Sequence, residues 1–417
     1  MSNYKEFNWK KNVVLFVIGQ ALSMFGTMVV QYAIMWHITL KTQSGTMMTL
    51  FTIFGFLPMF FISPFGGVWA DRFNRKYIIN IADGSIAFAS LMVAFLIMSG
   101  IDHIGILLAC AVIRSFGQGV QTPVVGAFIP QIVPQEQLTR INGIQSSIQS
   151  CINLTTPMIS GALMSFAPLE ILFFLDVITA VIGISMVVFF VKAPQTEKLP
   201  TEAGEQKGVA YLHDLREGIA YIKKHGYVLR MIVLTAVFLF FFAPAAFLTP
   251  LQVTKIFGAD VWRLTAIEMT FSIGMMLGGI LIGTWGGFKN RIHTMSLSCA
   301  LCGILAIGLG VAPGFWLYLV IMGAMGLSFP LWNTPFMVVL QTTVETAFMG
   351  RVLSVFSMVS STMMPLGMLV FGPLADTVSI NMLLVGTGIV ITLLAIPLMI
   401  SKTLCEAGKG HNWQNNI

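Results

Sequence analysis

The feature that most limits what this chain can become is a succession of twelve apolar runs, each long enough to cross a bilayer. They cover 12–40, 45–69, 78–99, 103–127, 138–165, 170–192, 227–254, 264–286, 292–312, 315–339, 350–375 and 380–401. A helix needs about 20 mostly apolar residues to span the hydrocarbon core. Backbone in lipid must satisfy its own hydrogen bonds, which makes each run a helix. With 56% of the 417 residues apolar, 10% charged and a mean hydropathy of +0.85, little chain is left for a domain in water. Soluble domains carry about a quarter charged residues. The expected fold class is an all-α membrane protein with twelve transmembrane helices.

Lysine and arginine placement orients the spans. With the N-terminus inside, the inner loops and tails hold 19 of the 23 basic residues, and the outer loops hold only Lys41, Lys255 and Arg263. Arg114 alone lies deep within a span rather than at its end. Both termini are expected in the cytoplasm, and the net charge of +6 reflects topology rather than nucleic-acid binding. The basic start, Lys5 to Lys11, precedes a run too long for a signal peptide and lacking a small-residue cleavage site. It reads as a retained first span.

One long polar stretch, 193–226, contains Pro194, Pro200, Gly204 and Gly208 and separates six spans from six. The expected organisation is a six-helix bundle over 1–192, a cytoplasmic linker over 193–226, and a second bundle with a tail over 227–417. Within the linker, Tyr211, Leu212, Leu215, Ile219 and Ile222 share one helical face with charges opposite. That pattern predicts an amphipathic helix on the inner membrane surface.

The two halves echo each other. Gly67, Trp69, Asn74 and Arg75 match Gly283, Trp285, Asn290 and Arg291 at an offset of 216. Thr122-Pro123 matches Thr334-Pro335 at 212, and Pro157 matches Pro365 at 208. Seven matched residues in three segments, in order and at equivalent positions in the topology, point to a duplicated six-helix unit, an architecture common among transporters.

The segment Gly67-Val68-Trp69-Ala70-Asp71-Arg72-Phe73-Asn74-Arg75-Lys76 resembles the signature loop between helices 2 and 3 of the major facilitator superfamily, Gly-x-x-x-Asp-Arg-x-Gly-Arg-Arg/Lys. It departs at Asn74, a residue that tolerates a left-handed turn better than most. Further stretches resemble the macrolide-efflux-type, drug:proton antiporter branch: Gly55-Phe-Leu-Pro58, Ile113-Arg-Ser115, Val133-Pro134, Gln137-Leu-Thr139 and Gly350-Arg-Val-x-Ser354. The likeness implies two six-helix bundles, alternating access and export driven by protons. It assigns Gly67, Asp71, Arg72, Arg75 and Lys76 to an inner gate, in which Asp71 caps a helix N-terminus of the facing bundle and the three cations neutralise it.

Ionisable groups inside spans are costly and mark function by default. Asp83, Arg114, Asp176 and Glu268 lie in spans 3, 4, 6 and 8. Proton coupling needs a carboxyl that can gain and lose its proton. Glu268 and then Asp176, both near the outer boundary, are the candidates; Asp83 lies near the inner surface, beside a basic loop with which it can pair. Several drug antiporters keep an acid in helix 1, and this chain has none there. Arg114, Gln118 and Gln121 form one helical stripe, and Gln20, Ser23, Thr27 and Gln31 form another in span 1; Gln20, Gln31, Arg114, Gln118 and Gln121 are the candidate cavity and cargo contacts. Asn142, Gln145, Gln149 and Asn153 form a third in span 5; such faces line a wet cavity or pack against each other, and for span 5 interhelical hydrogen bonding is the first reading. The small-residue pairs Gly274/Gly278 and Gly279/Gly283 allow close helix approach. His37 reads as an interfacial histidine.

The five cysteines lie mostly in apolar runs, and Cys299-x-x-Cys302 lacks a second pair, so no metal or disulfide is expected. No Gly-x4-Gly-Lys-Ser/Thr loop or catalytic His-Glu-x-x-His or Gly-x-Ser-x-Gly motif occurs, which argues against ATP drive and against an enzyme. No cofactor is expected. The 27 methionines and 33 phenylalanines suit a cavity that accepts varied amphipathic shapes, and equally suit lipid-facing surface. The expectation is a monomeric pump in a bacterial cytoplasmic membrane that exchanges an amphipathic small molecule for protons. A dedicated exporter of a siderophore or peptide antibiotic, or a lipid flippase, would use the same fold.

Overall fold

A computed structural model describes residues 9–191 and 216–409, with the backbone alone for Asp71 and Ala347. Twelve long helices run through the described residues. The first six are α1 (Trp9–Thr42), α2 (Gly45–Arg72), α3 (Arg75–Met98), α4 (Ile104–Ile132), α5 (Leu138–Phe166) and α6 (Leu169–Phe190). The second six are α7 (Gly226–Phe247, continued by a short helix Thr249–Ile256), α8 (Val261–Trp285), α9 (Arg291–Val311), α10 (Phe315–Thr343), α11 (Thr346–Thr377) and α12 (Ile380–Ile400). The all-α, twelve-helix expectation holds.

Composition separates one helix from the rest. Eleven of the helices are long and apolar enough to cross a membrane; α5 is not. Its polar stripe lowers its hydropathy, yet its 29 residues reach about 44 Å at 1.5 Å per residue. The twelfth apolar span is thus a long helix made polar by one face. Elsewhere the outward faces are apolar: Ile81, Phe166 and Trp316 are 70%, 91% and 75% exposed. In water such residues would be a liability; against lipid tails they are the expected surface.

The chain forms two compact units. In the first, α3 packs against α4 and α6. Gly19 of α1 meets Gly183 of α6 backbone to backbone, and Gly119 of α4 sits on Met59 of α2. Ser115 of α4 adds a hydroxyl that donates to Gly55 O at 2.7 Å and accepts from Met59 N at 3.0 Å. In the second unit, α9 packs on α10 and α12, α7 on α11 and α12, and α8 on α10. Here Gly274 and Gly278 of α8 face the backbone of Gly323 and Leu327, whereas Gly279 and Gly283 face open space. Only the first of the two predicted glycine pairs therefore mediates close approach.

Thr39–Thr49, the turn from α1 into α2, groups with the second unit. The Asp376 carboxylate at the end of α11 accepts from Gly45 N at 2.6 Å and Thr46 N at 3.0 Å. It also accepts from Ser44 Oγ at 2.9 Å and Thr46 Oγ1 at 2.6 Å. The first turn of α2, which has N–H groups without helical partners, is capped by a carboxylate more than 300 residues away.

The duplication is visible in side-chain chemistry. Asn74 caps α3 by accepting from Lys76 N at 3.0 Å, and Asn290 caps α9 by accepting from Ile292 N at 3.0 Å. Arg75 Nε donates to Ala70 O at 2.9 Å, five residues back, and Arg291 donates to Gly286 O, also five back. Asn74 has φ −66° and ψ 113°. The left-handed turn expected there is absent, because the residue serves as an N-cap, which asparagine does well; the left-handed residues near the second copy are Gly286 and Gly287.

Of the linker helix, Tyr211, Leu212 and Leu215 lie outside the described residues. Residues 216–224 are helical, and the buried positions are Gly218, Tyr221 and Ile222, with Ile219 39% exposed. This turn packs on protein: Gly218 sits on the Arg351 backbone, Tyr221 stacks on Phe348 at 4.7 Å, and Glu217 pairs with Arg351 at 2.5 Å. The apolar face is offset from the predicted one because it meets α11 rather than lipid.

Candidate functional site

Ionisable and amide side chains gather in the middle of the first unit, in two layers. In one layer Arg114 of α4, 1% exposed, donates to Asp176 of α6 at 2.5 Å and to Ser90 Oγ of α3. Its other terminal nitrogen donates to Thr27 O of α1 at 2.9 Å. Asp176, fully buried, also accepts from Ser90 Oγ at 2.6 Å and Thr27 Oγ1 at 3.3 Å. Two opposite charges with hydrogen bonds on the remaining lone pairs are how a low-dielectric interior tolerates an ion pair. Gly26 of α1 leaves room for Asp176 and Thr179 to approach, space that a Cβ would fill.

The second layer centres on Asp83 of α3, 3% exposed. It accepts from Ser23 Oγ at 3.0 Å, Gln20 Nε2 at 3.2 Å and Gln121 Nε2 at 2.5 Å. Gln121 Nε2 also reaches Gln20 Oε1 at 3.2 Å. The layers are related by helical repeat: Gln20 and Thr27 on α1, Asp83 and Ser90 on α3, and Gln121 and Arg114 on α4 are each seven residues apart. Seven residues is two turns, about 10 Å along one face.

A cleft of about 560 Å³ opens beside the second layer, lined by Val17, Gln20, Ala21 and Met24 of α1, Gln121, Thr122 and Val125 of α4, and Gln145, Ser146, Ile148, Gln149 and Ser150 of α5. Apolar walls with a few convergent amides are what a small-molecule site presents. Of the span-5 stripe, Gln145 and Gln149 face this cleft, and Gln149 Nε2 donates within its own helix to Asn153 at 3.0 Å.

The predicted residues are thus divided. Gln20 and Gln121 meet at the cleft. Arg114 is withdrawn into the ion pair with Asp176, so it faces no open space. Gln118 and Gln31 are half-buried and do not line this cleft; Gln31 lies beside Gly55 of α2. Glu268 of α8 stands in the second unit, half-buried, with no hydrogen bond or ion pair among the described residues. Asp83 bonds to amides and a hydroxyl rather than to the basic loop. Sequence reasoning underrated it for lack of a cross-helix view, although the seven-residue polar spacings in spans 1, 3 and 4 were a usable signal. His37 Nε2 lies 3.6 Å from Asp102 at the end of α1.

In the loop after α2, the Asp71 side chain lies outside the described residues and Arg72 is exposed. Gly67 faces open space. Arg75 bonds Ala70 O and, at 2.9 Å, Ala127 O of α4. Lys76 Nζ bonds Val188 O and Val191 O, both at 2.8 Å, at the end of α6. Cations at helix C-termini satisfy carbonyls that lack helical partners. These two therefore bind the ends of α2 and α6 and the body of α4 to the start of α3 within the first unit. Cys299 and Cys302 are buried in α9 with Cys299 Sγ on Ile391 O, and no group of three metal-binding side chains occurs among the described residues.

Comparison with known proteins agrees with this architecture. Residues 16–368 match the Major Facilitator Superfamily. Macrolide efflux protein A of Streptococcus pyogenes is 28% identical over 94% of this chain and 96% of its own length. The uncharacterized MFS-type transporter YfiS of Bacillus subtilis is 22% identical over 96% of this chain and 95% of its own. A bacterial homologue of the iron transporter ferroportin, solved inward-facing, superposes with a TM-score of 0.72 at 13% identity, covering 94% of this chain and 99% of that one. A D-xylose-proton symporter gives 0.70 at 13%, covering 96% and 98%. The chain belongs to the major facilitator superfamily: a multi-pass membrane protein that transports small molecules rather than an enzyme.

Proposed function

We propose that this protein exports amphipathic small molecules of the macrolide type across the cytoplasmic membrane, by alternating access, in exchange for protons. The observation that carries the reading is the cleft of the first unit, whose apolar walls and amides suit a large, weakly polar cargo. Likeness to macrolide efflux protein A along 94% of the chain supports it. In this reading the bundles are 1–192 and 227–417, joined by the 193–226 linker, both termini are cytoplasmic, and the monomer is the working unit.

Glu268 is the proton-linked acid of the second unit in this scheme, because an unpaired carboxyl can change charge without dismantling a network. Asp176 is poorly suited to that task while Arg114 holds it. The loop from Gly67 to Lys76 acts as the inner gate. Asp71 makes and breaks the gating contact, Arg72, Arg75 and Lys76 balance its charge, and Arg75 and Lys76 also brace the helix ends.

The test is accumulation of labelled macrolide and of a lipophilic cationic dye in pump-deficient cells with and without the protein. Expression should lower accumulation, and a protonophore should restore it. Unchanged accumulation of both compounds would defeat the reading and shift the cargo to a narrow, self-made compound such as a siderophore or peptide antibiotic.

A further inference from the structure

We infer that Asp83 is the counter-ion for a positively charged group on the cargo, so that the cleft of the first unit selects organic cations, above all amphipathic amines. This deepens the export reading and rests on it for the direction of transport, but not for binding.

Among the described residues the first unit holds two buried carboxylates that differ in one respect. Asp176 has Arg114; Asp83 has no cation among the described residues, only three neutral donors, Gln20, Ser23 and Gln121. A carboxylate taken out of water without a counter-charge is expensive, and neutral hydrogen bonds offset less of that cost than charge-assisted ones. Arg114 of α4, one layer away, is already bonded to Asp176 of α6, so its guanidinium is not available to Asp83.

Asp83 is one hydrogen bond behind the cleft wall. Two of its donors, Gln20 and Gln121, are themselves cleft-lining residues. Glutamine is a flexible side chain with a donor end and an acceptor end. When its amide rotates, the N–H withdraws from Asp83 and the carbonyl turns towards an incoming ammonium. A cation entering from the cleft thus meets one carboxylate and two amide oxygens, and its apolar body rests on Val17, Met24, Val125 and Ile148. The ionic contact supplies a charge that the described partners of Asp83 do not, which gives cations an advantage over neutral compounds of the same shape.

Three probes test this on the purified full-length protein. They are erythromycin, protonated on its dimethylamino group; its N-demethyl-N-acetyl derivative, similar in size without the charge; and tetraphenylphosphonium, permanently charged. Asp83→Asn should weaken binding of the two cations about tenfold to a hundredfold, as loss of one charge-assisted contact does. Binding of the uncharged derivative should change less than about twofold, and Asp83→Glu should recover part of the cation affinity. Should the Asn variant fail to fold, native membranes labelled with dicyclohexylcarbodiimide supply a second readout: tetraphenylphosphonium should protect Asp83 from modification and leave Glu268 unprotected. Equal loss for charged and uncharged probes, unchanged cation affinity, or protection at Glu268 instead of Asp83 would overturn the inference. Asp83-dependent cation binding without gradient-driven export in cells would leave this site standing and remove the export reading alone.

Discussion

The two units share a frame and differ in what they bury. Carrying the offset of 216 along α3 and α9 brings Asp83 and Ser90 to Cys299 and Ala306, and the offset of 212 along α4 and α10 brings Arg114 to Gly326. Where the first unit keeps an acid, a hydroxyl and a guanidinium, the second keeps a thiol, a methyl and a hydrogen. Cys299 Sγ rests on Ile391 O at 3.2 Å, and Gly326 lets α10 sit on the backbone of Phe271 in α8. The second unit's buried polar network lies elsewhere and carries no formal charge: Gln252 donates to Leu309 O and Asn381 Oδ1, both at 2.9 Å, and accepts from Tyr318 at 2.8 Å. One fold can therefore be held together at these positions by packing alone. Charges inside a membrane are costly, so those of the first unit have to be accounted for by what the unit does.

The largest effect is expected from breaking the ion pair. Arg114→Ala leaves Asp176 buried and uncompensated and should cost about 3–5 kcal/mol, read as a large fall in the thermal stability of detergent-purified protein. Arg114→Met with Asp176→Leu makes this layer apolar, as in the second unit, and should recover most of that loss. A double variant no more stable than Arg114→Ala would show that the layer is not a neutralised pair.

Gly326→Val tests the same comparison from the other side. Its side chain would collide with the α8 backbone, and overpacking of this kind costs about 1–3 kcal/mol. The corresponding melting shift should exceed that of Gly283→Val, where space is open. Equal shifts would remove close approach as the reason for glycine here.

A smaller difference is expected between the two loop arginines. Arg75 bonds carbonyls of two helices and Arg291 a carbonyl of its own loop. At about 1 kcal/mol per hydrogen bond, Arg75→Ala should destabilise more than Arg291→Ala. The smallest effect should come from Asn74→Gly, a few tenths of a kcal/mol, since glycine is itself an acceptable N-cap.

The spans were legible because twenty apolar residues have few ways to fold, and the duplication was legible because Asn-Arg recurs in one topological place. Two things were not. The partner of Arg114 is 62 residues away on α6, a contact that no periodicity along α4 encodes. The role of Arg75 and Lys76 depended on where α4 and the end of α6 fall. The helical stripes identified faces correctly, but a face does not say whether it meets a cleft or another helix. Gln121 and Arg114 share a face, and only Gln121 reaches open space.

The most direct test of the central claim uses everted membrane vesicles holding an imposed proton gradient, acid inside, monitored with a quenched amine dye. If the protein exchanges cargo for protons, adding erythromycin should dissipate the gradient in vesicles that contain it. The same addition should do nothing in vesicles that lack it, and Asp83→Asn should suppress the response. A gradient unchanged by erythromycin in vesicles shown to accumulate the labelled drug would mean transport without proton exchange and would contradict the account.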